Sequence, residues 1–218
     1  GGKKISNKLE AAGIKKKIIN GLRVTNEKSI KIVDEVLNTV NKEITDALNN
    51  NDCKSQSISN RKSNILKVNQ ISEELGFVGT PSDINQAVIE KIIKEKKVPV
   101  IAPLGLDNND NIFNINADTV AGAIAKKLNA RRLIIMSDVE GVLDKNKDLL
   151  SEIDSKQIQN LISDKTIDGG MIPKIENCLD VAQNGVKGVV IIDGRKNHSI
   201  LFELLSDKGS GTLIRKWI

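Results

Sequence analysis

The chain has 218 residues and a net charge of +5; 39% of its residues are hydrophobic and 28% are charged. This length and apolar content allow a sizeable core within one domain or two, and the charge content favours a soluble protein. No apolar run is long enough to span a membrane and no signal peptide is visible, so we predict a cytoplasmic protein without membrane association.

The positive charge does not by itself indicate a nucleic-acid-binding protein. Lysines are spread along the chain among many acidic residues, aromatic residues make up only 2% of it, and no finger, RNP or arginine-rich motif occurs. The two cysteines, Cys53 and Cys178, lie far apart and lack the spacing of metal ligands. We therefore expect ordinary reduced thiols and no resident metal.

The first part of the chain is predicted to form two helices separated by an extended turn. Lys3–Ala12 has a helical pattern, and Ile18–Thr25 is extended. Arg23 lies between apolar neighbours, so alternation places it on the opposite face, where its guanidinium either binds a carboxylate or remains a solvated surface group. Thr25 or Asn26 is expected to cap a long helix. The apolar face of that helix is formed by Ile30, Val33, Val36, Leu37 and Val40.

The next segment, Asn49–Asn64, is polar and rich in turn residues. Ile65–Val68 and Leu75–Gly79 then have the pattern of two strands in a hairpin region, which we expect to cover the site as a lid. Asn85–Lys97 is predicted to be a helix that leads into a strand beginning at Val98.

Two polar turns, Asn114–Asp118 and Ser137–Val142, each follow an extended segment. Between them lie a helix of small residues, Thr119–Leu128, and an apolar run, Leu133–Met136, whose length suits a buried strand. Ligands of open α/β sheets bind beyond the carboxyl ends of the strands, so the two turns are candidate walls of one site. The alternative is that their Asn and Asp residues only cap helices.

A glycine turn, Gly169-Gly170, precedes a further helix that has Pro173 and Lys174 in its first turn. A lysine there opposes the helix dipole unless an anion such as a phosphate is bound; a tolerated surface lysine is the simpler alternative. His198, the only histidine, has no partner nucleophile or metal cluster, so we expect it to cap or pack rather than catalyse. The remaining predicted elements are helices around Ile158–Ile162 and over His198–Leu205, and strands at Val186–Ile192 and Gly209–Ile214.

Strands and helices alternate along the chain, which predicts an α/β protein with a mostly parallel sheet. No Walker A sequence, kinase glycine loop or Rossmann fingerprint is present in the sequence. The residues by themselves therefore predict an α/β protein that binds a small anionic ligand, such as a phosphate.

Several segments carry a resemblance to a known family. The most specific pair is Asn20-Gly-Leu-Arg-Val-Thr25 and Gly169-Gly-Met-Ile-Pro-Lys174. The others are Leu75-Gly-Phe-Val-Gly79, Val98-Pro-Val-Ile-Ala-Pro103, Asn114-Ile-Asn-Ala-Asp118, Ser137-Asp-Val-Glu-Gly-Val-Leu-Asp144 and Ile191-Ile-Asp-Gly-Arg195. They occur in family order over almost the whole chain, which on this basis resembles the acetylglutamate kinases of the amino-acid kinase family.

The resemblance implies an ATP-dependent kinase that phosphorylates the side-chain carboxylate of N-acetyl-L-glutamate, giving an acyl phosphate and ADP in arginine biosynthesis. It implies a three-layer α/β/α sandwich with a mainly parallel central sheet, here amino-terminally truncated. Residues 1–105 would form the amino-acid-binding half with its hairpin lid, and residues 106–218 the nucleotide-binding half, within one continuous sheet. ATP would bring Mg²⁺, held by the nucleotide phosphates rather than by protein side chains.

The same resemblance assigns roles to individual residues. Catalysis falls to Lys174, which would neutralise the transferring phosphoryl group, and to Asp118, which would orient the catalytic lysines. Substrate binding falls to Gly1, Gly2, Arg23 and Asn114, with Arg23 on the α-carboxylate. Nucleotide contacts fall to Asp138, Val139, Glu140, Gly141, Val142, Leu143, Thr166, Ile167 and Asp168. An arginine effector would contact His198, Glu203 and Gly211.

Three features depart from the family pattern. The opening strand with its Lys-x-Gly-Gly motif, which supplies another catalytic lysine, is absent, so we hypothesise that this chain is inactive alone. Ser59–Ser63 stands where many members have a glycine-rich turn in the lid. His198–Glu203 resembles the signature of arginine-inhibited members, but Leu205 and Ser210 differ from the residues usual there.

Two alternatives to this function stay open. One is a kinase for another carboxylate, of aminoadipate or aspartate type, and the other is an inactive module that binds arginine or nucleotide. The expected partners are N-acetyl-L-glutamate, ATP, further copies of the chain in a dimer or hexamer, arginine as an inhibitor, and a PII-type nitrogen-signalling protein. Nucleic acid and membranes are not expected partners.

Overall fold

The computed structural model describes residues 2–58 and 63–216 of the chain. The chain forms two compact units, Gly1–Val120 and Ala121–Ile218. The predicted division into residues 1–105 and 106–218 concerns substrate and nucleotide binding and stays a prediction. Gly1 lies outside the described residues. So does Ser59–Lys62, which is most of the lid segment that differs from the family pattern.

The helices of the first unit follow the amphipathic patterns of the sequence. They are α1 (Gly2–Ala11), α2 (Glu27–Asn49) and α3 (Gln86–Lys94), and α4 (Ala117–Lys127) begins at the end of this unit. Asn26 caps α2, because its side-chain oxygen accepts a hydrogen bond from the Ser29 backbone N–H at 2.9 Å. Ile5 and Leu9 of α1 belong to the same apolar cluster as Val33 of α2, so packing between the two helices stabilises both.

The strands of the first unit fall into three groups among the described residues. They are β1 (Ile18–Ile19), β2 (Leu22–Arg23), β3 (Ser55–Ile58), β4 (Leu66–Gln70), β5 (Val78–Ile84), β6 (Val98–Ile101), β7 (Leu104–Leu106) and β8 (Ile112–Ile115). β1 and β2 form an antiparallel hairpin, and β3 and β6 pair in parallel. The remaining four close into a barrel in the order β4, β5, β8 and β7.

The single continuous sheet implied by the family resemblance stays a prediction; the described strands of the first unit pair in the three groups given above. The chain turns sharply between β6 and β7, where the Leu104 N–H donates back to the Ala102 carbonyl at 2.8 Å. This turn places β6 beside β3 and β7 in the barrel. The antiparallel hairpin predicted around Ile65–Val68 and Leu75–Gly79 is confirmed as the pair β4 and β5, but the second strand begins only at Val78 and continues to Ile84. Its role as a lid stays a prediction.

The second unit is built on one four-stranded sheet. Its elements after α4 are β9 (Leu133–Ser137), β10 (Glu152–Ile153), α5 (Ser155–Ser163), α6 (Met171–Gln183), β11 (Val189–Asp193), α7 (Ser199–Leu205) and β12 (Gly211–Ile214). The strand order is β10, β12, β11, β9, with β11 parallel to β9 and antiparallel to β12. Ile175 and Val181 of α6 are fully buried in one cluster with Val189 and Ile191 of β11. The predicted α/β class with parallel strand pairs is confirmed.

The apolar run Leu133–Met136 forms a strand as predicted, but it is not fully buried. Ile135 is buried, whereas 52% of Met136 is exposed. The reason is the position of β9, which ends the described strand order and therefore has a sheet neighbour on one side only. The run was expected to be interior because apolar length alone does not separate a central strand from an edge strand.

The segment Asn114–Asp118 is not one polar turn as predicted. Its first two residues end β8, and Asn116 then caps α4. The Asn116 side-chain oxygen accepts hydrogen bonds from the backbone N–H groups of Asp118 at 2.9 Å and Thr119 at 3.1 Å. The alternative interpretation, in which a polar residue here caps a helix, therefore holds for Asn116.

The helix α2 is 23 residues long, and its buried residues lie on one face only. Such a stripe is typical of a helix packed on a protein core. None of the helices in the described ranges combines the length and the apolar character that a membrane crossing requires.

Candidate active site

A cavity of about 450 Å³ lies in the first unit. Its lining includes three of the residues predicted to bind the substrate, namely Gly2, Arg23 and Asn114. Apolar lining residues come mainly from α2 and β6 and include Leu37, Val40, Ile44, Val100 and Ile101. The first unit thus brings these predicted substrate residues to one largely apolar cavity with a few polar groups, the usual make-up of a small-molecule site.

Arg23 reaches this cavity from the hairpin of β1 and β2. The hairpin turns at Asn20 and Gly21, whose φ values are +48° and +79°. An Asn-Gly pair suits this turn because both central residues of a type I′ turn need positive φ. The turn sets the register in which Ile18 pairs with Arg23, so a local sequence signal fixes the position of the arginine.

The Arg23 guanidinium is half-buried and only partly bonded. Its Nη2 donates to Ser6 Oγ on α1 at 2.8 Å, while Nη1 is buried and has no hydrogen-bond partner among the described residues. Burial lowers the pKa of Arg23 from its ordinary value, although a guanidinium stays protonated at neutral pH. A buried donor left without an acceptor is unfavourable by roughly 1–3 kcal/mol. The cavity therefore contains a positive group with a donor suited to an anion.

The backbone of Thr25 ties the hairpin to the loop before β5. Its N–H donates to the Leu75 carbonyl at 2.9 Å, and its own carbonyl accepts from the Phe77 N–H at 2.7 Å. Gly76 has a φ of +70°, and a Cβ there would lie 2.4 Å from the Thr25 oxygen, so only glycine fits. Thr25 Oγ1 also donates to the Arg23 carbonyl at 2.9 Å, and this close approach therefore helps to hold Arg23.

Asn114 and Asp118 occupy consecutive elements near the end of the first unit. Asn114 is a half-buried residue of β8, and its N–H donates to the Phe77 carbonyl at 2.9 Å. Asp118 is half-buried in the first turn of α4, where a carboxylate interacts favourably with the helix dipole. The roles predicted for both residues stay predictions.

Lys174 lies near the amino terminus of α6 in the second unit, as predicted. Gly169, with a φ of +50°, and Gly170 lead into the helix. Gly170 occupies the N-cap position, so no side chain caps the helix there. Lys174 is half-buried. A cation at this end of a helix opposes the dipole, whereas an anion is favoured there. This is the arrangement expected beside a bound phosphate, and the catalytic role stays a prediction.

The first predicted nucleotide loop, Asp138–Leu143, follows β9. Gly141 has a φ of +147°, and a Cβ there would lie 2.5 Å from Thr212 Oγ1. The same Thr212 hydroxyl accepts a hydrogen bond from the Val142 N–H at 2.8 Å. The loop is therefore pinned to β12 at its centre, while Asp138 and Glu140 are exposed.

The second predicted nucleotide loop, Thr166–Asp168, lies between α5 and α6. Thr166 Oγ1 donates to Asp164 Oδ1 at 2.6 Å. The Ile167 side chain is buried, and its N–H donates to the Leu161 carbonyl at 2.8 Å. Asp168 is exposed, and its carbonyl accepts from the Met171 N–H at 3.1 Å. Both loops have anchored backbones; their nucleotide contacts stay predictions.

Arg195 and Lys196, which have no role predicted from the sequence, lie beside the first of these loops. Asp193 is buried at the end of β11 and accepts from Arg195 Nε at 2.9 Å and Nη2 at 2.8 Å. These hydrogen bonds lower the pKa of Asp193 to about 2. Lys196 Nζ lies 3.2 Å from Glu140 Oε1. The only sequence signal for these cations is the family-like segment that ends at Arg195.

The predicted arginine effector residues are only partly brought together. Glu203 and Gly211 line one cavity of about 540 Å³ in the second unit, and Arg132 lines it too. Glu203 is buried and accepts hydrogen bonds from the Ser210 N–H at 2.9 Å and from Arg132 Nη1 at 3.3 Å. His198 lies outside this cavity lining, exposed at the start of α7.

The expectation that His198 caps or packs needs correction. It occupies the N-cap position of α7 with a φ of +61°, but its side chain makes no capping hydrogen bond. It is exposed and borders a surface groove with Leu201 and Phe202. A sequence pattern indicates where a helix starts, but not whether the first side chain turns back to bond it.

Among the described residues there is no group of three or more His, Cys, Asp or Glu side chains that could hold a metal ion. Cys178 is buried in the second unit, and Cys53 is half-buried in the first. Neither cysteine is therefore part of a metal-ligand cluster within those residues.

Comparison with known proteins gives consistent matches over most of the chain. The model of the amino acid kinase family matches residues 1–193. The acetylglutamate kinase of Pelagibacter ubique is 62% identical over 216 residues, which cover 99% of this chain and 75% of that protein. The acetylglutamate kinase of Campylobacter hominis is 43% identical and is matched over 99% of this chain and 77% of its own length.

Solved structures show the same fold. The crystal structure of smu.665 from Streptococcus mutans has a TM-score of 0.86 and 34% identity, with 99% of this chain and 83% of that chain covered. An N-acetylglutamate synthase from Neisseria gonorrhoeae, complexed with coenzyme A and N-acetyl-glutamate, has a TM-score of 0.89. It is only 22% identical and 50% covered, so this second likeness concerns the fold alone.

Proposed function

Because this chain belongs to the amino acid kinase family, we propose that it is an ATP-dependent kinase for the side-chain carboxylate of N-acetyl-L-glutamate, in arginine biosynthesis. A carboxylate oxygen attacks the γ-phosphorus of ATP, the bond from that phosphorus to the bridging oxygen breaks, and ADP leaves. The products are N-acetyl-L-glutamyl 5-phosphate and ADP. Relatives named for this activity are 62% and 43% identical over nearly the whole chain, which supports the proposal.

The observation that carries the proposal is the buried Nη1 of Arg23. It lacks a partner among the described residues, and Arg23 lines the cavity of about 450 Å³. Ser6 fixes the other terminal nitrogen, so the guanidinium is held before any ligand arrives. A substrate α-carboxylate would supply the missing acceptor, and a charge-assisted bond of this kind is stronger than a neutral one.

The polar and apolar parts of the cavity suit the rest of the substrate. Asn114 and Gly2 are the other described residues proposed to contact it, and both line the cavity. The apolar side chains of α2 and β6 offer a surface for the acetyl methyl group. Gly2 begins α1 rather than a free glycine turn, so the predicted approach of its amide to the phosphoryl group remains a proposal.

The chemical step requires positive charge and positioning rather than proton transfer. In this proposal Lys174 neutralises charge on the transferring phosphoryl group from the amino-terminal end of α6. Asp118 orients catalytic lysine side chains. The anion preference of a helix amino terminus adds to the effect of Lys174.

The nucleotide is proposed to contact residues 138–143 and 166–168. ATP supplies the phosphoryl group, and Mg²⁺ enters with the nucleotide, coordinated by its phosphates. The anchored backbones of both loops fit such a role, because a bound nucleotide then costs little loop ordering. Arg195, held by its two bonds to Asp193, is a further cation beside the first loop.

Regulation and assembly form the finer part of the proposal. Arginine as an inhibitor would have to compete with Arg132 for Glu203, because Arg132 Nη1 lies 3.3 Å from Glu203 Oε1. The chain is also proposed to assemble as a dimer or hexamer and to bind a PII-type nitrogen-signalling protein. Calorimetric titration of arginine into the 218-residue chain tests the effector, and light scattering gives the mass of the assembly. Absence of arginine binding would remove the inhibitor from the proposal.

The test of the function is ligand binding by the 218-residue chain. Calorimetry should show N-acetyl-L-glutamate binding in preference to free glutamate or aspartate. Arg23→Met should weaken it by roughly 10- to 100-fold, since a hydrogen bond to a charged group contributes about 1.5–3 kcal/mol. Arg131→Met, at an exposed arginine of the second unit, is the matched control and should leave the Kd unchanged. Equal binding of all three ligands would contradict the substrate assignment.

The hypothesis that the chain is inactive alone has a separate assay. The chain is mixed with MgATP and N-acetyl-L-glutamate, and any acyl phosphate is trapped with hydroxylamine. Binding without trapped product is the expected result. Detectable ATP-dependent hydroxamate would refute the hypothesis of inactivity while it supports the proposed reaction.

A further inference from the structure

Two buried side-chain atoms in the described ranges have no hydrogen-bond partner, and their residues line the same cavity. The atoms are Arg23 Nη1 and Asn41 Oδ1, and both residues border the cavity of about 450 Å³ in the first unit. Buried polar atoms are nearly always bonded in native proteins. One atom is a donor and the other an acceptor, so a ligand that satisfies both must carry an acceptor and a donor of its own.

Asn41 is placed in the cavity wall by the middle of α2. It is only 4% exposed, on the face of the helix that also contains Leu37. An asparagine is unfavourable at such a position, because it has a lower helix propensity than apolar straight-chain residues and its amide must be desolvated. A packed leucine would suit the core better, so the amide at this position calls for a polar partner.

The orientation of the Asn41 amide is fixed by one hydrogen bond. Its Nδ2 donates to the Val100 carbonyl on β6 at 2.9 Å. The amide group can only donate to a carbonyl through nitrogen, so Oδ1 is the atom left without a partner. The helix around it is also tied down, because the Asn41 carbonyl accepts from Thr45 Oγ1 at 2.9 Å. The unbonded acceptor is therefore rigidly held.

We infer that Asn41 Oδ1 accepts a hydrogen bond from the amide N–H of the substrate's acetamido group, while Arg23 Nη1 binds the α-carboxylate. This inference rests on the proposed function. The carboxylate and the nitrogen are attached to the same carbon of an N-acyl amino acid, so one ligand supplies the acceptor and the donor together. Asn41 is then a residue that determines specificity for acylated over free amino acids.

The chemistry of the cavity explains this preference. A free amino acid carries an ammonium group with three donors and a full positive charge. Beside Asn41 the wall is apolar, with Leu37, Val40 and Ile44 from the same helix. A single neutral acceptor among these side chains satisfies one amide N–H, but it does not compensate for the desolvation of an ammonium ion. The acetyl methyl group, by contrast, gains from apolar contact.

The inference is tested with a ligand that lacks only the hydrogen-bond donor. In (S)-2-acetoxyglutarate, an ester oxygen replaces the N–H of N-acetyl-L-glutamate and leaves the carboxylates in place. Calorimetry on the 218-residue chain should give a Kd for the amide that is roughly 5- to 30-fold lower than that for the ester. The ester oxygen would face Asn41 Oδ1 with a lone pair and leave both atoms unbonded.

A variant then assigns the preference to Asn41. Asn41→Leu should reduce the amide-to-ester ratio to within about twofold, because no acceptor remains. Asn38→Leu is the matched control: Asn38 lies one turn earlier on α2, is exposed, and bonds only within the helix to Asp34. It should retain the wild-type ratio.

The outcomes separate this inference from the proposed function. If the wild-type chain binds amide and ester equally, or if Asn41→Leu retains the wild-type preference, Asn41 is not the acceptor and the inference is overturned. If the wild-type chain binds neither compound, the proposed substrate fails instead. The wild-type ratio needs no variant, so equal binding of amide and ester would overturn the inference even if Asn41→Leu does not fold.

Discussion

Replacing Gly76 with alanine is expected to destabilise the first unit by about 2–5 kcal/mol. A φ of +70° costs an L-residue with a Cβ roughly 1–2 kcal/mol. The new Cβ would lie 2.4 Å from the Thr25 carbonyl oxygen, so the loop must move away. That movement breaks the bonds from Thr25 N–H to Leu75 and from Phe77 N–H to Thr25, each worth about 0.5–1.5 kcal/mol.

Gly21→Ala is the matched control for this substitution. Gly21 has a φ of +79°, but nothing lies within 4 Å of the position that a Cβ would take. Only the backbone term applies, and the expected loss is about 1–2 kcal/mol. Both variants are compared by urea unfolding, together with hydrogen exchange of the Phe77 and Thr25 amides. Exchange is needed because two units need not unfold in one transition.

The comparison has a clear negative outcome. If Gly76→Ala and Gly21→Ala lose the same stability, the contact between Gly76 and Thr25 does not contribute beyond the backbone conformation. The importance assigned to that approach in holding Arg23 would then be wrong. If it is right, Gly76→Ala also weakens N-acetyl-L-glutamate binding, since the Thr25 hydroxyl bonds the Arg23 carbonyl.

Two further predictions concern the arginines of each unit. Ser6→Ala removes the acceptor of Arg23 Nη2, and calorimetry should show N-acetyl-L-glutamate binding weakened roughly 3- to 10-fold; an unchanged Kd would show that Ser6 does not position the guanidinium. The hydrogen bonds from Arg195 lower the pKa of Asp193 to about 2. They therefore stabilise the folded state fully above the ordinary carboxyl pKa of about 4, and this stabilisation is lost as the pH falls towards 2. Asp193→Asn should unfold at lower urea concentrations than wild type at pH 7, with the difference shrinking between pH 4 and pH 2; a difference that stays constant would contradict this linkage.

Local signals in the sequence predicted the elements best. Asn26 does cap α2, and the apolar face that includes Val33 is buried as its periodicity indicates. The Asn20-Gly21 turn places Arg23 on a hairpin. The family was predicted from motifs such as these, and the relatives and the family model confirm it. Such features depend on neighbours within a few residues, which a single sequence contains.

Long-range features could not be predicted in the same way. The barrel pairs β4 with β7 in parallel across a long stretch of chain, and nothing in either strand specifies that neighbour. Glu203 meets Arg132 across a separation of 71 residues. Asn41 was not singled out, because one asparagine in a long helix resembles a surface position. Only the packed structure shows that its amide is buried and that Nδ2 has a hydrogen-bond partner whereas Oδ1 has none among the described residues.

The closed barrel determines where this molecule is open to aggregation. Each of its four strands has a neighbour on both sides, which leaves fewer unpaired backbone groups for another chain. β9 differs, because it ends its sheet within the described residues and 52% of Met136 is exposed on it. Concentrated solutions should therefore form cross-strand aggregates through open strand edges such as that of β9 rather than through the barrel, and a lysine in place of Met136 should delay them.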